Sequence, residues 1–420
     1  MKFTKILFLY FLSLAGSSFF AGSIIMVLGT NFHNLGQLVY HFLAGRLLGK
    51  VFYGDLAALI SIFGLLAIIQ QAFGLTIIKF VASAKSPEEA NNFTKWVWFW
   101  SIWVGVIVFV LLLFSSPFIV QFLNISQPQV IYIFIPVVLV GFISNTGRAL
   151  LQGFTRFTQF VVSMVAEVGA KIVAMVLLVY LGYSLFGAVA ALPVGAVVGF
   201  VIVWLGLRKN LKGPRAKMPN LSPLFAYSFP VFIQSIALTS MYSSDILLAK
   251  HFFTAEQAGL YAALAKLGTI AFFSSSPITS VMFPIIARNH THGQPYHRIF
   301  YLSVALVTLI SLAVIISYIF LSGFIIGILF GKDFVEGAPI LWWFSLYMFL
   351  LGVGMLFVHF YLSIGKTKVV WLFAAAALTQ IVLILVFHAT LLSVIQMSII
   401  AAALLVLGLL LYFPYHHRQR

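Results

Sequence analysis

Long apolar runs, each bounded by a charged residue or by Gly, Pro, Asn or Ser, recur along the whole chain. A helix needs about 20 apolar residues to cross the roughly 30 Å hydrocarbon core of a bilayer, at about 1.5 Å per residue. The boundaries predict twelve such helices, over 17–46, 54–83, 96–122, 129–152, 156–180, 184–207, 223–249, 257–287, 299–329, 337–363, 367–388 and 390–413. Lys2 and Lys5 ahead of the apolar stretch Ile6–Gly29 resemble a signal peptide. That stretch exceeds a typical signal core and further spans follow it, so it reads as uncleaved. A helix over 5–48 would be about 65 Å long, too long for one crossing, so residues 1–16 are read as an interfacial N-terminal segment. Two short spans there, giving thirteen, are the alternative.

Charge placement decides between the counts. With twelve spans and both termini in the cytoplasm, 18 of the 24 Lys and Arg fall on the inner side. Arg46, Lys50, Lys250 and Lys332 fall outside, and Lys171 and Lys266 lie within spans. A thirteenth span would move most of the basic residues outside, against the positive-inside rule. The longest basic linker, 208–222, then separates an N-terminal six-helix bundle (17–207) from a C-terminal one (223–413), with a basic cytoplasmic tail at 414–420.

Composition agrees. Hydrophobic residues make up 62% of the 420, charged residues 8%, and mean hydropathy is +1.11. A soluble domain carries about 25% charged residues, so this chain lacks the material for a water-facing surface. The net charge of +16 raises the question of nucleic acid. Nucleic-acid binders gather Lys and Arg on one exposed face, whereas here they sit in short runs between spans. Nucleic acid is excluded as a partner, and the absence of cysteine excludes disulfides, thiolate metal sites and a Cys nucleophile.

The two halves resemble one another. At a constant offset of 205 residues, Leu43, Ala44, Gly54, Ala57, Ala58 and Leu59 match Leu248, Ala249, Gly259, Ala262, Ala263 and Leu264. Six spans per half is even, so the repeats enter from the same side and are parallel. Such repeats hold a substrate site between them and alternate its access by rocking. The same offset aligns Thr30, Asn34 and Gln37 on the first span with Ser235, Thr239 and Tyr242 on the seventh. Spacing of i, i+4, i+7 puts each set on one helical face. A polar stripe at bilayer depth serves either as interhelical glue or as the lining of a wet cavity.

Charges within spans are the other candidates. Glu167 lies near the middle of the fifth span with Lys171 one turn on, the spacing of a self-neutralising pair. Asp245 lies toward the outer end of the seventh span and Lys266 deep in the eighth. A charge at bilayer centre costs about 2.5–3.5 kcal/mol on insertion scales, so these residues should face the protein interior. One reading is structural pairing; the other is a cationic cavity in which Lys171, Lys266 and Arg148 attract an anionic headgroup. Glu167 and Asp245 are then candidates for coupling to H+ or Na+. Arg46 and Arg148, near span ends, read as snorkelling to the interface. Among His33, His41, His251, His359 and His388 one could carry protons, but each singly reads as a hydrogen-bonded structural residue. Gly195 and Gly199 form a loose GxxxG that suits a bending helix. No metal site is expected, and no cofactor.

No GxxxxGK[ST], HExxH or GxSxG occurs, and the outer loops reach only about ten residues. The reading is an all-α transporter rather than an enzyme. At this point several stretches resemble a family: GRLLGKVFYGDLAAL (45–59), SSDILLAKHFFTAEQAGLYAALAKLG (243–268), SFP (228–230), MFPIIAR (282–288) and FGKDFVEGAPIL (330–341). They are similar to the polysaccharide-transporter branch (Wzx-type flippases) of the multidrug/oligosaccharidyl-lipid/polysaccharide exporter superfamily. One departure is Gly49-Lys50-Val51, where the family usually shows Gly-Pro and an acidic residue. The resemblance implies a MATE-like fold of two six-helix bundles in the cytoplasmic (inner) membrane. It implies movement of a polyprenyl-(pyro)phosphate-linked oligosaccharide for cell-surface polysaccharide such as O-antigen, by alternating access. The cavity candidates are then Lys171, Lys266, Arg148, Asn34, Gln37, Thr239 and Tyr242. The implied partners are that lipid-linked oligosaccharide, membrane lipids and the polysaccharide-assembly machinery. A cation-coupled drug or metabolite exporter on the same scaffold is the alternative.

Overall fold

The computed structural model describes residues 18–82, 84, 86–213 and 222–417, which are almost wholly helical, with no strand among them. Residues 1–16, linker residues 214–221 and the last three residues of the tail lie outside the described residues.

The first two expected spans form one helical run, Ser18–Ala82, interrupted at Gly49. No loop separates them, in contrast to the gap at 47–53 expected from the charges there. Gly49 alone makes the break, with φ 68° and ψ 179°, a conformation essentially reserved for Gly. Its arms are α1 (18–48) and α2 (50–82). A Cβ at position 49 would meet no atom within 4 Å, so the restriction is conformational rather than steric. Gly49→Ala is therefore expected to cost about 1–3 kcal/mol, read as a lowered thermal midpoint of the detergent-purified protein.

The later helices are α3 (Pro87–Phe122), α4 (Val130–Gly153), α5 (Phe157–Leu178), α6 (Ser184–Leu207), α7 (Ser222–Phe252) and α8 (Ala255–Thr291). They continue with α9 (His297–Leu329), α10 (Leu341–Ser363), α11 (Val370–Val386) and α12 (Leu391–His417). Local chemistry explains several starts. Ser86 accepts from the Glu89 amide ahead of Pro87, which needs no N–H at the first helical position. Thr254 and Gln257 form a capping box at the start of α8. Among the described residues nine stretches are apolar and long enough to cross a membrane. Two of them, Leu28–Ile68 and Phe157–Leu207, are long enough for two crossings each. With α7, the segments are consistent with twelve.

The chain divides into two compact units. The first holds the described residues up to Tyr40 together with Ile69–Pro117 and Gln129–Ser228. Its core joins Ile77 and Val81 of α2, Phe93 and Val97 of α3, Leu150 and Leu151 of α4, and Val203 and Leu207 of α6. The second holds His41–Ile68, Phe118–Pro128 and the chain from Phe229 on. Its core is aromatic, with Phe300, Phe344, Phe360 and Phe373 fully buried. Buried tyrosines need a partner for the hydroxyl. Tyr318 donates to the Leu267 carbonyl at 2.8 Å and Tyr361 to that of Leu409 at 3.0 Å.

Candidate functional site

In the first unit the charged residues of α4 and α5 gather with the polar face of α1. Arg148 is buried rather than snorkelling. Its guanidinium donates to the Ser163 hydroxyl at 3.0 Å, to Asn145 Oδ1 at 3.1 Å and to the Ser163 carbonyl at 3.3 Å, and it pairs with Glu167. Glu167 is thus neutralised from α4, and not by Lys171 one turn away on its own helix. Lys171 turns toward α1, where its ammonium donates to Gln37 Oε1 at 2.5 Å and lies 4.1 Å from the centre of the Tyr40 ring. A cation over an aromatic face gains about 0.5–2 kcal/mol.

The row continues beyond Gln37. The amide nitrogen of Gln37 lies 3.3 Å from His33 Nε2, and His33 Nδ1 lies 3.0 Å from the Met164 carbonyl. An ammonium can only donate, so Gln37 must turn its oxygen to Lys171 and its NH2 to the imidazole. The imidazole then accepts at Nε2 and donates from Nδ1. Thr30 satisfies itself on the Met26 carbonyl one turn back. Asn34 is exposed on the neighbouring face.

Small residues make room for these groups. A Cβ at Gly195 would lie 2.7 Å from the Glu167 carbonyl, and one at Gly199 would lie 2.7 Å from Arg148 Nη2 and 2.8 Å from Glu167 Oε2. The GxxxG of α6 therefore gives the ion pair its space, a role that its sequence did not reveal. On α1, a Cβ at Gly36 would lie 2.9 Å from Val168, so this helix sits close enough on α5 for Gln37 to reach Lys171. Arg148 and Lys171 against one Glu167 leave an excess of one positive charge.

The second unit holds the remaining candidates. Asp245 is wholly buried, accepting from the Tyr261 hydroxyl at 2.9 Å and the Ile246 amide at 2.9 Å, with no ion-pair partner among the described residues. Nearby, Gln380 donates to the Met241 carbonyl, Tyr347 and Ser398, while its own Oε1 is buried without a hydrogen bond. Lys266 is half-buried and its ammonium has no recorded partner among the described residues. Tyr242 donates to the buried Thr239 at 3.2 Å, so the stripe of α7 is partly self-satisfied.

Two residues of this unit escaped the sequence reading. Lys250, expected at the outer surface, is buried against Asp55, Nζ to Oδ1 2.5 Å, with side-chain exposures of 2% and 0%. Asp55 Oδ2 also accepts the Ser126 amide at 3.0 Å. Apolar neighbours surround both in the chain, and the pairing joins residues almost 200 positions apart, which no local pattern encodes.

Solved structures share this fold at low identity. A multidrug resistance MATE family transporter of the MOP superfamily in its inward-facing conformation superposes with a TM-score of 0.78 at 13% identity, over 92% of this chain and 96% of that one. The lipid II flippase MurJ in an inward closed conformation gives 0.73 at 15% identity, over 93% and 87%. Among curated proteins, the teichuronic acid biosynthesis protein TuaB of Bacillus subtilis (strain 168) is 23% identical over 288 residues. That match takes in 65% of this chain and 56% of TuaB, so the chain spans little more than half of that relative. The sequence matches the family described as Polysaccharide biosynthesis protein over residues 19–290. More than half of the chain carries that match, on an all-helical membrane fold shared with MATE transporters and MurJ, and the chain belongs to the polysaccharide biosynthesis protein family.

Proposed function

We propose that the protein is a flippase that carries a polyprenyl-(pyro)phosphate-linked oligosaccharide across the cytoplasmic membrane, both termini lying in the cytoplasm. The observation that carries this reading is the excess positive charge of Arg148 and Lys171 over Glu167, held among apolar helices. Cations are retained at such depth where a charged cargo offsets their cost. A phosphate headgroup would take the Lys171 ammonium and the open side of the Arg148 fork, while the prenyl tail remains in lipid. Family membership and the fold shared with MurJ support the cargo class. Chain entry and exit would alternate between the two membrane faces, without nucleotide.

A second reading, an exporter coupled to H+ or Na+, draws on the buried Asp245, which has no ion-pair partner among the described residues, and on the orphaned oxygen of Gln380. The two readings divide on the first unit. Lys171→Ala in a host whose own flippase is deleted is expected to cut surface glycan roughly tenfold or more, the weight of one charge-assisted contact of about 1.5–3 kcal/mol. Unchanged surface glycan at an unchanged level of protein in the membrane would leave the exporter reading standing.

A further inference from the structure

The row Lys171–Gln37–His33–Met164 has one direction along its whole length. Each donor faces one acceptor: the ammonium to Gln37 Oε1 at 2.5 Å, the amide to His33 Nε2 at 3.3 Å, and the ring Nδ1–H to the Met164 carbonyl at 3.0 Å. The backbone carbonyl fixes one end and the ammonium fixes the other, so the amide between them has only one satisfactory orientation. A proton added at His33 Nε2 turns that acceptor into a donor facing the donor of Gln37. If the amide rotates to meet it, its NH2 then faces the Lys171 ammonium. No orientation of Gln37 satisfies both cations.

We propose that His33 is a proton-binding site wired to Lys171 through Gln37, so that a proton on the imidazole and a phosphate on Lys171 bind together. This rests on the headgroup reading of the first unit. With His33 neutral, Gln37 holds Lys171 against α1 and the Tyr40 ring. With His33 protonated, Gln37 turns its oxygen to the imidazolium and gives up its hydrogen bond to the ammonium, a bond that an anion can replace. Reciprocally, an anion that draws Lys171 away frees Gln37 to stabilise the proton, since coupling between two ligands is mutual. The proton comes from water, occupies the Nε2 lone pair, and returns to water when Lys171 swings back.

The other charged groups that act on the imidazole are Glu167 and Arg148, which pair with each other, and Lys171 itself. Their excess of one positive charge, with the added proton, matches a diphosphate diester bearing about two negative charges at neutral pH. The loaded site then carries no net charge while its access changes faces, which limits the cost of holding a diphosphate in a low-dielectric interior.

The test uses the full-length protein in detergent micelles with geranylgeranyl diphosphate as probe. Between about pH 8 and pH 5, a window wide enough to contain proton uptake by a buried histidine, wild-type affinity should rise about fivefold or more. His33→Asn and Gln37→Met should keep only the smaller trend set by the titration of the probe itself. A pH dependence equal in wild type and both variants overturns the proposal. A second measurement needs no ligand: 15N-histidine NMR, with the His33 signal identified from its loss in His33→Asn. Removing the opposing amide in Gln37→Met should move proton uptake by His33 to higher pH than in wild type, and an unchanged titration overturns the wiring. If the probe fails to bind at any pH while the NMR shift occurs, the headgroup reading falls and the wired proton site stands.

Discussion

Replacing Asp55 with Ala is expected to lower the stability of the protein by about 3–5 kcal/mol. Both charges are out of solvent, and the Lys250 ammonium is only 2.5 Å from the carboxylate. Removing one partner of such a pair leaves the other buried and uncompensated, which costs far more than the net strength of the pair itself. The Ser126 amide would lose its acceptor as well. Asp55→Asn, which keeps an oxygen for that amide, should fall between Ala and wild type. The double variant Asp55→Leu with Lys250→Met should recover much of the loss, because apolar groups of similar volume often replace a buried pair at little cost. Denaturant unfolding in detergent reads all four proteins. Equal destabilisation in the single Ala variant and the double variant would show that the positions matter for packing and not for charge.

The second large effect is steric. A Cβ built on Gly259 collides with the backbone carbonyl of Lys50, and one on Gly54 would lie 2.9 Å from the Gly259 nitrogen and 3.0 Å from its Cα. The obstacle is main chain in each case, so no side chain can turn aside to relieve it. Overpacking of this kind costs about 1–3 kcal/mol, and sites that cannot relax sit at the upper end. Gly259→Ala is expected to be worse than Gly54→Ala, and Gly259→Val to abolish the monodisperse peak in size-exclusion chromatography. A Gly259→Val protein that purifies like wild type would refute the close approach of α2 and α8.

The helices were legible because lipid imposes a strong rule: backbone polar groups must be satisfied inside the segment, so apolar length alone reports a span. The α2–α8 register was half legible, since Gly54 and Gly259 stood out in the repeat before their contact was known. The partners of the charges were not. Lys171 and Glu167 sit one turn apart, and helical geometry favours their pairing. The choice was made instead by Gly199, which admits the Arg148 fork, and by Gln37, which draws the ammonium away. Such choices depend on which helices adjoin, and periodicity within one helix carries no record of its neighbours. His33 illustrates the same limit, because its meaning lies in the order of donors along three residues of two helices.

The meeting of Gly54 with Gly259 has a bearing on ancestry. These are corresponding positions of the repeat, so each copy presents the same residue to the other, as two separate identical chains would about a two-fold axis. In such an ancestral pair one codon would have ruled both sides, and any change would have struck twice. The Asp55–Lys250 bond has no twin: position 55 answers to Leu260, and position 250 to Gly45. A bond of opposite charges made once is one that two identical copies, bound to change together, would have had to make twice.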